Sequence, residues 1–364
     1  MTLIKDIISV LEKVAPLSFQ ETWDNSGLLV GDDSNKINSV LLTLDVTEDV
    51  VNEAIKKGSN LIIAHHPIIF KGLKSLTGKN YVERTIIKAI QNNISIYAMH
   101  TNLDVIEKGV SYKMAERLSL KKIETLDVTS DFLKKIVVYV PSSHTQKVKD
   151  AIFEAGAGFI GNYDMCSYSS KGEGSYRPLE NSKPFIGEIG SLHKEPETKL
   201  ETICPTNKLN TVIKALINAH PYEEPAYDIF TLDKKDNNIG LGKIGVLEKE
   251  MSEDDFLLLL KKQFGLQNLR YSPLLGKKIK KVAVCGGSCS FLIQKAKGLA
   301  DILVTSDVKY HEFFDAENKL VIADIGHFES EQFSKDIFYD IITKNFTNFA
   351  VHFSETNTNP IKYL

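Results

Sequence analysis

Apolar positions near the start of the chain follow two alternating periods. Ile4, Ile7, Ile8, Leu11 and Val14 recur at helical spacing, which predicts an amphipathic helix over residues 3–14, closed by Pro16. Val40–Val46, Leu61–Ala64 and Ile94–Ala98 are apolar runs suited to buried strands. Helical stretches over about 48–57 and 82–92 separate them, the first capped by Thr47 with Asp49 in its acidic first turn. A helix holding Met114, Ala115 and Leu118 completes this half. The succession strand–helix–strand–helix–strand predicts an α/β sheet, and open α/β sheets keep their sites at strand ends.

The pattern changes near Lys121-Lys122 and restarts at Lys134. A strand at Ile136–Val140 and a helix at about Thr145–Ala155 are followed by a glycine-rich, loop-heavy stretch. Strands at Ile186–Gly190 and Leu200–Cys204, a helix at Asn207–Ala219 and a strand at Ala226–Leu232 come next. Two strand–helix–strand units in this space predict a small ferredoxin-like α+β sandwich. Asp233-Lys234-Lys235-Asp236-Asn237-Asn238 reads as a polar exit linker. From about Gly240 the α/β pattern resumes. Ser252 caps a helix with Phe256, Leu257, Leu260 and Phe264, and strands fall at Lys281–Cys285, Ile302–Thr305, Leu320–Ile325 and Phe349–Phe353. The expected fold is therefore α/β, a core in two lobes with an inserted α+β domain: residues 1–127, 128–238 and 239–364.

Composition narrows the function. The 364 residues are 43% hydrophobic and 25% charged with a net charge of -3, values of an ordinary globular protein. No dense basic block advertises nucleic acid. No apolar run approaches membrane-spanning length, and Lys5, Asp6, Glu12 and Lys13 interrupt any signal-peptide core. The four cysteines, Cys166, Cys204, Cys285 and Cys289, form no CxxC pair and read as reduced thiols of a cytoplasmic protein.

The chemistry-bearing residues cluster after strands. His65 and His66 directly follow the run Leu61–Ala64, and Pro67 ends the strand. Adjacent imidazoles at a strand end suit two metal ions, one ring each; the plainer reading is a pair of solvated loop histidines. His100 and Asp104 follow the third strand. Asp104 is a candidate bridging carboxylate or a helix cap. His100 is a ligand, a residue orienting Asp104 or a water, or a packed histidine. His327 and Glu331, four apart at a helix start, share one face and offer half a metal site, or a carboxylate favoured by the helix dipole. Together these five side chains leave open positions for water on two cations, an arrangement that makes hydroxide available near neutral pH. Mixed imidazole and carboxylate donors suit zinc, iron, manganese, cobalt or nickel without choosing among them.

Other positions carry weaker signals. Asp307 and His311 are four apart: the Thr305-Ser306-Asp307 turn after a strand is a candidate to hold substrate or to support a metal ligand, and His311 is a candidate proton shuttle or a surface histidine. Gly286-Gly287-Ser288 could cradle an anion, but lacks the established phosphate-loop patterns. Trp23 is expected in the core, and Asp24 and Asn25 orient a ligand or form a turn. His220-Pro221-Tyr222-Glu223-Glu224-Pro225-Ala226-Tyr227-Asp228 reads as a rigid solvated turn, a cover for the site or a regulator-binding loop.

The segments Trp23-Asp24-Asn25-Ser26-Gly27-Leu28, Ala64-His65-His66-Pro67, His100-Thr101-Asn102-Leu103-Asp104, Thr305-Ser306-Asp307-Val308-Lys309-Tyr310-His311 and Gly326-His327-Phe328-Glu329-Ser330-Glu331, in this order, resemble the Nif-three-like dinuclear metal centre family, also labelled GTP cyclohydrolase I type 2 homologues. The middle segment resembles the PII/CutA-like insert of its longer bacterial members. The resemblance implies a toroidal homohexamer with two divalent metals per subunit, held by His65, His66, Asp104, His327 and Glu331. It implies a hydrolase that attacks the guanine ring of GTP with metal-activated hydroxide and releases formate. A phosphoesterase on nucleotide-like substrates, or a regulatory scaffold without catalysis, fits the same metals. Ser306 and Cys289 depart from the family's usual glycines, which bears on local turn shape and not on the ligands.

Overall fold

Every residue of Leu61–Ala64 is buried, because this strand lies in the middle of a largely parallel sheet covered on both faces. The computed structural model describes residues 2–128, 133–160, 163–233 and 237–364, so residues 234–236 of the expected linker lie outside it. The chain divides into two compact units, Met1–Val128 with Asn237–Leu364, and Thr129–Asp236.

The larger unit holds two sheets. The first runs in the order Gly27–Val30, Ser95–Ala98, Leu61–Ala64, Ser39–Thr43, Ala350–Phe353, parallel throughout except for its first edge strand. Alternation sends Val40, Leu42, Leu61 and Ile63 against the helices Ile4–Val14 and Ser334–Asn345. Leu41, Ile62 and Ala64 go the other way, against Glu48–Lys57 and Tyr81–Gln91. Thr47 caps the first of these latter helices by accepting from the Val50 amide.

The second sheet runs in the order Arg270–Tyr271, Val321–Asp324, Ile302–Ser306, Lys278–Ser288, Gly240–Ser252, Lys121–Val128, with the three strands from Val321–Asp324 to Lys278–Ser288 parallel. Val282, Val284 and Val304 pack against Phe256, Leu260 and Phe264 of the helix Glu253–Phe264. The two sheets are not separated at one chain position. Strand Lys121–Val128, which the sequence pattern does not announce, joins the second sheet, and the last strand returns to the first.

The smaller unit has the strands Leu133–Pro141, Ser167–Tyr176, His193–Pro205 and Tyr227–Thr231 and the helices Thr145–Glu154 and Leu209–Ala219. Its all-antiparallel sheet places the first and third strands in the centre, the ferredoxin-like order. Val138, Leu200 and Cys204 bury one face of the sheet against Val148, Ile152, Val212 and Leu216 of the helices. Ile186–Gly190 forms no strand. The second strand is instead Ser167–Tyr176, inside the stretch expected to be loop. No helix among the described residues is long and apolar enough to cross a membrane.

Candidate metal centre

Strand ends of both sheets in the larger unit deliver the site. The amides of His65 and His66 both donate to the Leu44 carbonyl, at 3.2 and 3.0 Å, which holds the doublet just past Ala64. Asp104 ends the one-turn helix Thr101–Asp104 that follows strand Ser95–Ala98. His327 and Glu331 bound the short helix after strand Val321–Asp324.

Glu331 is the centre of the arrangement. Its Oε2 lies 2.9 Å from His66 Nε2 and 3.0 Å from His327 Nε2, and these two nitrogens are 3.4 Å apart. Its Oε1 lies 3.8 Å from His65 Nε2, which is 3.7 Å from Asp104 Oδ1. One carboxylate thus serves an outer group with His66 and His327 and an inner group with His65 and Asp104. One nitrogen each of His65, His66 and His100, and the donor atoms of His66, His327 and Glu331, form two groups within 4.8 Å that could hold a metal ion.

The inner atoms test whether a cation fits. His65 is fully buried, and its Nδ1–H donates to the Met99 carbonyl at 2.8 Å. That leaves a lone pair on Nε2, which has no hydrogen-bond partner; Asp104 Oδ1 has none either. Buried acceptors facing one another are costly unless something positive lies between them. With bonds of ~2.0–2.2 Å, donors sharing one tetrahedral cation stand roughly 3.4 Å apart, close to the spacings found. The residues fit a pair of divalent ions.

Without cations, protons supply the balancing charge. Burial opposes a charge on His66, but hydrogen bonds to Asp45 and Glu331 outweigh it and hold its pKa at about 9. The same opposition at His327 is overcome by Asp307 and Glu331, which hold its pKa at about 11. Burial, reinforced by the Glu331 charge, pushes Asp104 up to about 7. Burial opposes a charge on Glu331, yet His327 and His66 hold it well below the usual carboxylate range.

Three carboxylates stand behind the imidazoles: Asp24 and Asp307, both expected near the site, and Asp45, which lies outside the expected set. Asp45 accepts from His66 Nδ1 at 2.7 Å and Asp307 from His327 Nδ1 at 2.5 Å. Asp24 accepts from His100 Nδ1 at 2.8 Å and is itself held by Ser26 and Thr101. The signal for Asp45 was only its place after a strand at the same sheet edge. His100 therefore stands beside the histidine doublet with its ring oriented by Asp24, and it does not bond to Asp104. Trp23 is 58% exposed rather than in the core; it stacks on Phe70 at 5.8 Å and meets the His100 ring edge-on at 6.0 Å. These rings, His66, Asp104, His327 and Glu331 line a cavity of about 630 Å³.

Three expectations are corrected here. The amides of Gly286 and Gly287 are taken by the Ser111 and Ser330 hydroxyls, so this turn does not offer them to an anion. It makes room for Glu331: a Cβ on Gly287 would lie 2.3 Å from Glu331 Oε1, and its φ of +69° suits glycine. Cys285 and Cys289 are not thiols but a disulfide across this turn, because the chain reversal brings their Cα atoms to 6.1 Å; Cys166 and Cys204 are free. His311 is exposed, packs on Tyr310 and Phe314, and is not among the residues lining the cavity.

Residues 2–360 match the family model described as Duf34/NIF3 (NGG1p interacting factor 3). The chain belongs to the DUF34/NIF3 family. It is 40% identical to the GTP cyclohydrolase 1 type 2 homolog of Bacillus subtilis, over 99% of this chain and 98% of that one. It is 39% identical to the protein of the same name from Staphylococcus epidermidis, over 99% of both chains. Among solved DUF34/NIF3 relatives, a Bacillus cereus protein related to NIF3 superposes with a TM-score of 0.78 at 39% identity, covering 100% of this chain and 99% of that one. A Staphylococcus aureus protein does so with a TM-score of 0.78 at 32% identity and the same coverage.

Proposed function

We propose that this DUF34/NIF3 protein is a dinuclear-metal-dependent hydrolase that opens the guanine ring of GTP and releases formate. The observation that carries the reading is Glu331, shared between two donor groups at the floor of a cavity walled by aromatic rings. His65, Asp104 and Glu331 would hold one divalent ion, zinc, iron or manganese, and His66, His327 and Glu331 the other. Such ions, when bound, lower the pKa of water and stabilise a developing oxyanion.

The chain's own residues supply the rest. Asp24 fixes the tautomer of His100 by accepting from Nδ1, which leaves Nε2 as the proton acceptor inside the cavity. Trp23 and Phe70 offer apolar ring surface on which a planar base can stack. The cavity volume suits a nucleotide-sized ligand. The names of the relatives point to the same substrate.

The test is incubation of metal-loaded protein with GTP, with formate, a pterin-type product and phosphate measured together. Formate with the pterin-type product supports the reading; phosphate alone replaces it with a phosphoesterase. No turnover of any nucleotide by fully loaded protein leaves the scaffold reading in its place. His100→Asn is expected to lower turnover by about 10²–10⁴-fold while metal content stays unchanged. The homohexamer is part of the same proposal, and a sedimentation mass about six times that of the chain tests it.

A further inference from the structure

The smaller unit contains a cavity of about 650 Å³ that the hydrolase reading does not use. It lies on the sheet face opposite the helices. Along strand His193–Pro205, Leu200 and Cys204 point to the helix side, so Glu197 and Lys199 occupy the other face. Gly172 pairs with Glu197 in the neighbouring strand, and no side chain stands there to fill the space. Gly174 is equally bare for a reason: a Cβ would lie 2.2 Å from a Glu197 carboxylate oxygen.

The string from His220 to Pro225 closes one side. Buried His220 donates from Nε2 to the Tyr139 carbonyl at 3.0 Å and accepts the Tyr222 amide at Nδ1 at 3.1 Å. Its role is to pin the loop, and what the loop presents is Tyr222. The Tyr222 hydroxyl donates to Glu197 Oε1 at 3.0 Å. The Tyr222 ring lies 5.5 Å from that of Tyr176 and 6.4 Å from that of Phe185. Tyr176 is fixed in turn by donating to the Ile186 carbonyl at 2.8 Å.

Three aromatic rings therefore line one cavity with a carboxylate that is 9% exposed, and one of them, Tyr222, bonds to it. Among the described residues no lysine, arginine or histidine lies within 4.0 Å of it; Lys199 on the same face is engaged by Glu201 at 2.6 Å. Lys171 and Lys183, which also line the cavity, are exposed, so the charge in its depth is negative. A carboxylate buried without a cation is costly, and ring faces attract cations. Glu197 belongs to none of the groups of metal-ligating side chains, and a single carboxylate beside a phenol is a poor donor set for a metal.

We propose that this cavity binds a small organic ammonium ion between Tyr176, Tyr222 and Phe185, with Glu197 as its counter-charge. The experiment is saturation-transfer NMR on the full chain with choline and propylammonium as probes. The neutral carbon analogue of choline, a tert-butyl group in place of trimethylammonium, is the control. The expected result is that a cationic probe binds at least about tenfold more tightly than the neutral analogue. Glu197→Gln removes that preference, and Tyr176→Leu weakens both cations. Equal binding of the neutral analogue to the unmodified protein overturns the proposal, as does the absence of binding by either cation. Retained preference in folded Glu197→Gln protein overturns it too. Altered sedimentation of that variant with unaltered probe binding assigns the carboxylate to self-association instead.

Discussion

The two donor groups that share Glu331 differ in what stands behind their histidines. In the inner group, His65 is backed by a neutral carbonyl, that of Met99, and its Nε2 is buried without a partner. In the outer group, His66 and His327 are backed by the carboxylates of Asp45 and Asp307, and both rings reach solvent, with side chains 20% and 36% exposed. A carboxylate behind an imidazole raises its basicity and fixes its tautomer. The outer rings therefore hold their protons firmly when metal is absent, whereas Asp104 in the inner group, with a pKa of about 7, is only partly protonated at neutral pH. The outer position is thus the one for which protons compete more strongly.

The hardest blow to this contrast is Glu331→Ala, because it removes the one oxygen donor both groups share. Metal analysis is expected to fall from about two ions per chain to none, with the thermal transition retained. Retention of either ion would show that Glu331 is not the bridge. His65→Ala and His66→Ala should each remove one ion and leave the other, separating the two positions. Next in size are Asp45→Asn and Asp307→Asn. Each should weaken the outer ion by about 10–100-fold and leave the inner one unchanged in a competition titration. Equal weakening of both ions would erase the distinction.

How much of this was legible depends on how local each signal is. Leu61–Ala64 read correctly because a strand covered on both faces is a continuous apolar run, and the two histidines follow it at once. Ser167–Tyr176 did not, because it is a polar edge strand held by its ladder to His193–Pro205 and has no apolar alternation to detect. Strand Lys121–Val128 is likewise an edge strand, with Leu126 its one buried residue. The partners of the imidazoles come from distant chain positions, so no spacing announces them: Asp45 to His66, Asp24 to His100 and Asp307 to His327. Asp307 and His311 look like one helix face. The turn Tyr310–Ala316 is a tighter 3₁₀ helix that starts after Asp307, whose φ of +55° lies outside the helix. Trp23 was misplaced for a different reason. A lone tryptophan is usually core, and only the fold shows that Phe70 and His100 give it a partner at the cavity.

The proton content gives a finer test. In the metal-free protein His66 and His327, with pKa values of about 9 and about 11, both carry protons at pH 7. An ion entering the outer group must displace them, so binding at pH 7 should release about two protons from this pair. The sign follows: both rings stay protonated below about 9, so outer affinity rises with pH and falls on acidification, because the same two protons are released against a higher proton concentration. Among the inner donors Asp104, at about 7, is about half-protonated at pH 7, so the inner ion should displace fewer protons than the outer one. Proton release in weakly buffered solution, measured on His66→Ala and on His65→Ala, checks the difference. Equal release from the two variants would remove the asymmetry.

The smallest expected effect concerns the turn beneath the inner oxygen. Glu331 Oε1 rests where a side chain on Gly287 would be, and the Cys285–Cys289 bridge closes the chain around that glycine. Closing so short a loop is worth about 2 kcal/mol in the chain-entropy account, and less where the open form keeps its structure. The turn remains tied to Ser111 and Ser330 by its amides, so opening the bridge should loosen it rather than release it. A variant with both cysteines changed to serine is therefore expected to keep both ions. Its inner affinity should fall by a small factor, about threefold to tenfold for part of that energy, with the outer affinity unchanged. The contrast between the two positions is the readout. A fall at the outer position alone would mean that the turn supports Oε2 and not Oε1, and the division of Glu331 between the groups would have to be redrawn.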